Sequence, residues 1–263
     1  MKIDLGNLSG STDGIFYSVL DRYYRSFPYF IPNELIPHVE ALEKNWEIIY
    51  EEFNNYHNKG LTKNDKSRNA NKYYDPGFNT VTLITYMYKY YDRCIHFPET
   101  MKLLKSFPEV STVSINVMNP GVSLKTHYGE TNAIYRCHLG LKVPAKLPEC
   151  GIRVGTEERY WEEGKTLAFV DANKHKAWNL SNGQRIIFLV DFFRPETVKY
   201  KWIICGRVWA SFGILMLITR FPKLKKTPGF ISKFAHSTIG LIMMFMLFLQ
   251  RTLRFEVSII SKK

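Results

Sequence analysis

Two histidines and one arginine offer the first chemistry in this sequence. His127 follows the turn Asn119-Pro120-Gly121 in a polar patch that ends at Gly129, and His175 follows Asp171 in a loop between two apolar runs. Imidazole is the commonest protein metal ligand, and short strands joined by loops can bring two such rings together from distant positions. Arg185 opens the next apolar run, RIIFLVDFF, ten residues beyond His175. A guanidinium entering a sheet is costly unless it meets an anion. That anion can be the carboxylate of a ligand, gripped by the planar fork, or a structural partner such as Asp171 or Asp191; both readings stand. Arg136 and His138, two positions apart, share one strand face and add donors. His38, His57, His96 and His236 fall in helix or loop contexts without evident partners and receive no role.

The elements that must position these groups are mostly strands. Val113, Ile115 and Val117 alternate with Thr112, Ser114 and Asn116, which predicts a half-buried strand ending at the Pro-Gly turn. In 135–143, Tyr135, Cys137, Leu139 and Leu141 lie opposite Arg136 and His138. A turn at Glu163-Gly164 precedes further strands over 166–170 and 185–193. Many short strands with Gly and Pro turns predict a mainly β fold, a sandwich or jelly roll, with flanking helices. The best helix is expected over 34–56, with Pro37 in its first turn and one apolar stripe of Leu35, Val39, Leu42, Trp46, Ile49, Tyr50 and Phe53. Its acidic outward face, Glu40, Glu43, Lys44, Glu47, Glu51 and Glu52, reads as solvated. Before it, 15–33 is aromatic-rich and irregular with a short helix. After it come a polar loop over 58–79, a strand or short helix over 81–91, and a short helix within 97–107 begun by Pro98.

Charge divides the chain. The net charge is +12, but residues 199–263 hold twelve Lys or Arg against one acid, Glu256, so +11 of it lies there and the body is near neutral. A basic groove across the body is excluded, and with it a nucleic-acid partner. The same tail carries the uncharged runs 208–219 and 234–250, bracketed by Arg220, Arg251 and Arg254. Apolar runs flanked by basic residues predict an interfacial or re-entrant anchor on an anionic leaflet, in preference to a span. Four cysteines without paired spacing, Cys94, Cys137, Cys150 and Cys205, and the polar start MKIDLGNLSGSTDG, which carries no visible signal peptide, fit a protein facing a reducing, cytoplasmic compartment.

Taken together, several short motifs resemble one family. They are Asn119-Pro-Gly, His127-x-Gly129-x-Thr131-Asn132, Arg136-x-His138-Leu-Gly-Leu, Ile152-Arg-Val-Gly, Trp161-Glu-Glu-Gly-Lys, His175-x-x-Trp178-Asn179, Arg185 and Asp191-Phe-Phe-Arg-Pro. Over about residues 35–198 the chain is similar to the aspartyl/asparaginyl β-hydroxylases, iron(II)- and 2-oxoglutarate-dependent dioxygenases on a double-stranded, cupin-like β-helix. The resemblance implies that His127 and His175 bind iron(II) and that Arg185 anchors 2-oxoglutarate, with Arg136, His138 and Asn116 on the cosubstrate and substrate side. It also implies that O₂ is consumed, that 2-oxoglutarate leaves as succinate and CO₂, and that one oxygen enters a C–H bond. Gly129 stands where a metal-binding carboxylate would usually follow the first histidine, as in the peptide-modifying branch. Asp171 or Asp191 could instead orient a ligand histidine.

The expected organisation is an N-terminal aromatic segment (1–33), a dioxygenase domain (34–198) and a basic hydrophobic tail (199–263). The expected substrate is a peptidyl Asp or Asn residue. Three departures keep a membrane lipid or a small molecule open: Ile134 replaces a substrate-holding arginine of the peptide branch, Gly77-Phe78 replaces a Gly-Trp pair, and Asn116 replaces a serine near the cosubstrate. From a different class, a membrane-bound jelly-roll binding protein without turnover shares the same features.

Overall fold

The computed structural model describes residues 28–64 and 77–253. Residues 15–27 of the aromatic segment expected over 15–33, the middle of the loop expected over 58–79, and Arg254 lie outside those residues. The strands are β1 (Phe30–Ile31), β2 (Phe78–Thr85), β3 (Tyr88–Lys89), β4 (Val110–Met118), β5 (Val122–Ser123), β6 (Ile134–Lys142), β7 (Cys150–Val154), β8 (Glu157–Arg159), β9 (Thr166–Phe169), β10 (His175–Asn179) and β11 (Arg185–Phe193). Seven form one sheet in the order β1-β9-β6-β11-β4-β2-β3, and four form a second in the order β5-β10-β7-β8. Neighbouring strands within each sheet pair antiparallel. The result is the expected mainly β jelly roll.

Alternation along the strands builds two interiors from the large sheet. Val113, Ile115, Tyr135, Cys137, Leu139, Phe188, Val190 and Phe192 point to one face, where the helices α1 (Val39–Lys44), α2 (Trp46–Asn58), α3 (Tyr91–Cys94) and α4 (Pro98–Leu104) cover them. Met118, Phe169 and Ile187 point to the other face and meet Cys150, Ile152, Val154 and Ala177 of the small sheet. Burial on this scale is the main stabilising term, about 25 cal/mol per Å² of apolar surface. Arg136, His138 and Asn116 share the second interior's side of their strands, so their polarity falls between the sheets.

The single helix expected over 34–56 is two helices. His38 sits in the left-handed region (φ 65°), so the first starts at Val39, and Asn45 (φ −110°) breaks the run, with its amide donating back to the Ala41 carbonyl at 2.8 Å. The break leaves Leu35 60% exposed, whereas Val39, Leu42, Ile49 and Phe53 are buried as the stripe requires. Part of the acidic face is also not simply solvated. Glu52 accepts from the Glu99 and Thr100 amides and the Thr100 hydroxyl, capping α4, and Glu43 accepts from Lys165 and the Thr166 amide. The unassigned histidines have structural partners: His38 bonds Glu109 at 3.1 Å and stacks on Phe107, His57 bonds Thr62, His96 packs on Tyr56, and His236 bonds Ser211 at 3.0 Å.

The tail folds as two helices, α5 (Lys201–Arg220) and α6 (Gly229–Leu253), longer than the apolar runs indicated and each long and apolar enough to cross a membrane. They form an antiparallel hairpin crossing closely at Gly206 and Gly240, where an added Cβ would press on the Gly240 carbonyl. Ile204, Cys205, Val208 and Leu247 seat the hairpin on Tyr86, Ala133, Ile134 and Phe193 of the body. Gln250 completes the seat, accepting from the Lys89 amide at 3.0 Å and donating to its carbonyl at 2.8 Å, which satisfies the open edge of the large sheet. Cys94, Cys137, Cys150 and Cys205 are buried free thiols.

Candidate active site

His127 and His175 meet across a backbone bridge in which each donates its amide to the other's carbonyl at 2.9 Å. Their rings lie 4.2 Å apart between centroids, at 55°. The local chain decides their tautomers. His127 Nδ1 is 2.8 Å from the Lys125 carbonyl, and His175 Nδ1 is 2.8 Å from the Asn173 carbonyl. A carbonyl only accepts, so in both rings Nδ1 carries the hydrogen and the lone pair of the neutral ring is on Nε2. Burial, with His127 beside it, holds His175 well below the ordinary histidine value, which keeps its ring neutral at physiological pH.

Asp171 lies beside the pair. Its Oδ1 is 3.4 Å from His175 Nε2, and its Oδ2 is fully buried with no hydrogen-bond partner. It fills the space beside Gly129: a Cβ at that position would land on Asp171 Oδ2. The gap left by glycine after the first histidine is therefore closed by a carboxylate four residues before the second. Burial raises the Asp171 carboxyl above the ordinary range, and Arg136 and His127 offset part of that rise. Among the described residues, no group of three or more His, Cys, Asp or Glu converges as a metal cage. The nitrogen donors suited to a metal are two.

Arg136 is committed within the protein. Its Nε and Nη2 grip both oxygens of Asp191 at 2.8 and 2.9 Å, and Nη1 bonds Asp171 Oδ1 at 2.5 Å. Burial works against its charge, but the two carboxylates hold its pKa well above the ordinary arginine value. Arg185 is different. The structural pairing with Asp171 or Asp191 that the sequence left open belongs to Arg136 instead. Arg185 is 2% exposed, its guanidinium lies 4.5 Å from the Trp161 ring centroid, and its Nε has no hydrogen-bond partner. Burial lowers its pKa to about 10. Trp161 also donates Nε1–H to His138 Nδ1 at 3.3 Å, which puts the His138 hydrogen on Nε2, and that buried group is without a partner too. Burial, with Arg136 and Arg185 nearby, holds His138 well below its ordinary value.

Two orphaned buried donors in one interior are costly to the protein alone, about 1–3 kcal/mol each, and suit an anionic ligand. Asn116 is buried nearby on β4, where its side-chain oxygen accepts from the Ser114 hydroxyl at 3.2 Å. All six residues singled out by the sequence thus fall on strands or loops of one sandwich interior or its mouth. Three participants were not legible: the Asp171 carboxylate in the Gly129 space, the Trp161 cover over Arg185, and the Tyr86 hydroxyl, which donates to Glu130 Oε2 at 3.0 Å. All three depend on contacts between residues more than twenty positions apart.

A two-sheet antiparallel jelly roll with paired Nε2 lone pairs and buried basic donors is what the fold and the site define. The chain belongs to the aspartyl/asparaginyl β-hydroxylase family, whose sequence profile matches residues 43–195. The aspartyl/asparaginyl β-hydroxylase of Homo sapiens is 33% identical over 169 residues, covering 60% of this chain and 21% of that protein. The aspartate β-hydroxylase domain-containing protein 2 of Homo sapiens is 32% identical over 182 residues, covering 64% of this chain and 48% of that protein. The ornithine lipid ester-linked acyl 2-hydroxylase of Rhizobium tropici is 38% identical over 98 residues, covering 37% of this chain and 35% of that protein. The chain therefore spans less than half the length of each of these relatives.

Proposed function

We propose that the chain is an iron(II)- and 2-oxoglutarate-dependent hydroxylase whose reaction centre is His127, His175 and Arg185. The observation that carries this reading is the pairing of two Nε2 lone pairs with two orphaned buried donors, Arg185 Nε and His138 Nε2, in one interior. Nε2 of His127 and of His175 would hold the metal; Arg185 would anchor the distal carboxylate of the cosubstrate, with His138, Arg136 and Asn116 lining its site. When bound, the metal and cosubstrate supply the oxidation: one atom of O₂ enters a substrate C–H bond and the other leaves in succinate as 2-oxoglutarate loses CO₂. The chain's own part is orientation. The Lys125 and Asn173 carbonyls hold the hydrogens on Nδ1, so that Nε2 of each ring would be left for a metal, and Arg136 holds the Asp171 carboxylate beside His175 Nε2. Trp161 covers Arg185 and excludes water from it.

Two substrate readings follow. A peptidyl Asp or Asn side chain is supported by the family and by the human relatives. An acyl chain of a membrane lipid is supported by the apolar hairpin and by the bacterial lipid hydroxylase. The proposed setting is a membrane surface facing a reducing, cytoplasmic compartment. Succinate release in the presence of iron(II), 2-oxoglutarate and O₂ is the test. A His127→Ala/His175→Ala double variant is expected to lose both metal binding and release, with activity down about 10³-fold or more; a variant that behaves as the wild type does would overturn the reading, and absence of release from both would leave a membrane-bound jelly-roll binding protein.

A further inference from the structure

Tyr86 joins the candidate active site to the helical hairpin. It sits at the tight turn between β2 and β3, where Tyr86 (φ 42°) and Met87 (φ 68°) both adopt left-handed backbone, a conformation that costs non-glycine residues energy unless their surroundings enforce it. The hairpin helps enforce it. Trp209 of α5 donates its indole N–H to the Tyr86 carbonyl at 3.3 Å, and Phe212 packs against the Tyr86 ring, 6.0 Å between centroids. The Tyr86 hydroxyl points the other way, onto Glu130 Oε2 at 3.0 Å.

Glu130 follows Gly129 directly and is half-buried. No Lys or Arg among the described residues forms an ion pair with it; three of the five N–H groups of Arg136 are directed at Asp191 and Asp171 instead. Burial raises its carboxyl above the ordinary range and Asp171 raises it further, with Arg136 offsetting part. A half-buried carboxylate that Tyr86 holds in one orientation, and that makes no direct ion pair, is an acceptor for a cation that arrives with a ligand. The wall on the hairpin side is apolar: Ala133 and Ile134 are buried against Ile204, Val208 and Leu247. Beyond that wall the hairpin exposes Met216, Phe234, Leu241 and Phe245, at 59–72% of their surface. Exposed apolar area of this kind on paired helices, with Arg220 and Lys223 at the turn end, matches a bilayer and its interface.

We propose that Glu130, steadied by Tyr86, is the specificity-determining residue of this site: it reads an ammonium group on a membrane amphiphile whose apolar part runs along the α5–α6 hairpin, and it turns away acidic head groups. The inference rests on the lipid reading of the proposed function and names the head-group charge that reading leaves open. A charge-assisted contact of this kind changes affinity about tenfold or more.

The test uses the full chain on phosphatidylcholine vesicles, with two probes of equal chain length, an N-palmitoyl-lysine methyl ester and an N-palmitoyl-glutamate. Wild type is expected to bind the lysine-headed probe at least tenfold more tightly. Glu130→Gln should abolish the preference, Glu130→Lys should invert it, Glu130→Asp should keep part of it, and Tyr86→Phe should weaken it severalfold. Inversion by Glu130→Lys separates charge reading from mere misfolding. An unchanged preference in both Glu130→Gln and Glu130→Lys overturns the proposal. So does a soluble lysine-rich peptide that binds as tightly as the lysine-headed amphiphile. Succinate release is read separately. If binding follows the charge at residue 130 but no probe releases succinate, the hydroxylase reading fails and the selector role stands. Release that is blind to head-group charge has the opposite meaning.

Discussion

At the scale of single residues, the site depends on which nitrogen of each ring carries a hydrogen. Three buried or half-buried histidines take defined tautomers here, His127 and His175 from carbonyls two residues upstream and His138 from Trp161. For His138 this has a consequence in pH. Its folded pKa lies well below the ordinary value through burial and through Arg136 and Arg185, whereas in the unfolded chain it titrates near 6.5. Below about pH 6.5 the unfolded chain therefore binds the extra proton, and stability falls as pH drops toward the folded value. Asp171 and Asp191 act with the opposite sign: burial raises both, so the folded protein takes their protons first as the pH falls further. Thermal unfolding of chelator-treated protein between pH 7.5 and 5.5 should show a His138 contribution of at most about 1.4 kcal/mol per pH unit. His138→Gln should flatten that slope; the same slope in both proteins would refute the buried, neutral assignment. The residue types were readable in the chain because imidazole and guanidinium have few reasons to enter a sheet. Their orientation was not, since it comes from carbonyls and an indole that only the fold brings near.

At the scale of elements, strands were more legible than helices. Period-two alternation is visible in β4 and β6, where one face meets the helices and the other carries the polar residues of the site, whereas β11, buried on both faces, is legible as the continuous apolar run Arg185–Phe193. The helix over 34–56 failed at two points, where His38 stacks on Phe107 and where the Asn45 side chain competes for the Ala41 carbonyl. A stripe of apolar residues does not record such tertiary and side-chain interruptions. The junction of Gly129 with Asp171 was likewise hidden. The chain shows a glycine in a carboxylate's place, but not that the bridge between His127 and His175 brings the Asp171 carboxylate into that space. Gly129→Ala is a direct test of that junction. Its Cβ would overlap Asp171 Oδ2, so either the carboxylate or the loop must move, at a cost of about 1–3 kcal/mol. Metal titration should show weaker binding in parallel, because the moved carboxylate no longer places its negative charge beside the Nε2 lone pair of His175. Unchanged stability together with unchanged metal affinity would mean that Asp171 does not fill the space beside Gly129 in solution.

At the scale of the whole molecule, a near-neutral body carries a basic, apolar hairpin that is built into it. The charge division was legible from composition, and so was the apolar character of the tail, but not the seat. Tyr86, Ile134 and Phe193 bury themselves against α5 and α6, and Gln250 occupies the sheet edge at Lys89. Deleting residues 199–263 would therefore uncover part of the body's own core as well as remove the proposed anchor, and loss of membrane binding after such a cut would have two causes. Substitution on the outer face separates them. Leu241 and Phe245 are 65% and 59% exposed and touch solvent in the isolated chain, so Leu241→Glu/Phe245→Glu should leave thermal stability within about 0.5 kcal/mol. On vesicles containing anionic lipid the same double variant should lose about tenfold or more of its bound fraction, since each carboxylate must then enter or leave the hydrocarbon boundary with its water. Binding by the wild type should also weaken as salt rises, because the basic residues around the hairpin act through a screened field. Full retention of the double variant on vesicles would show that the exposed face of the hairpin is not what meets the membrane.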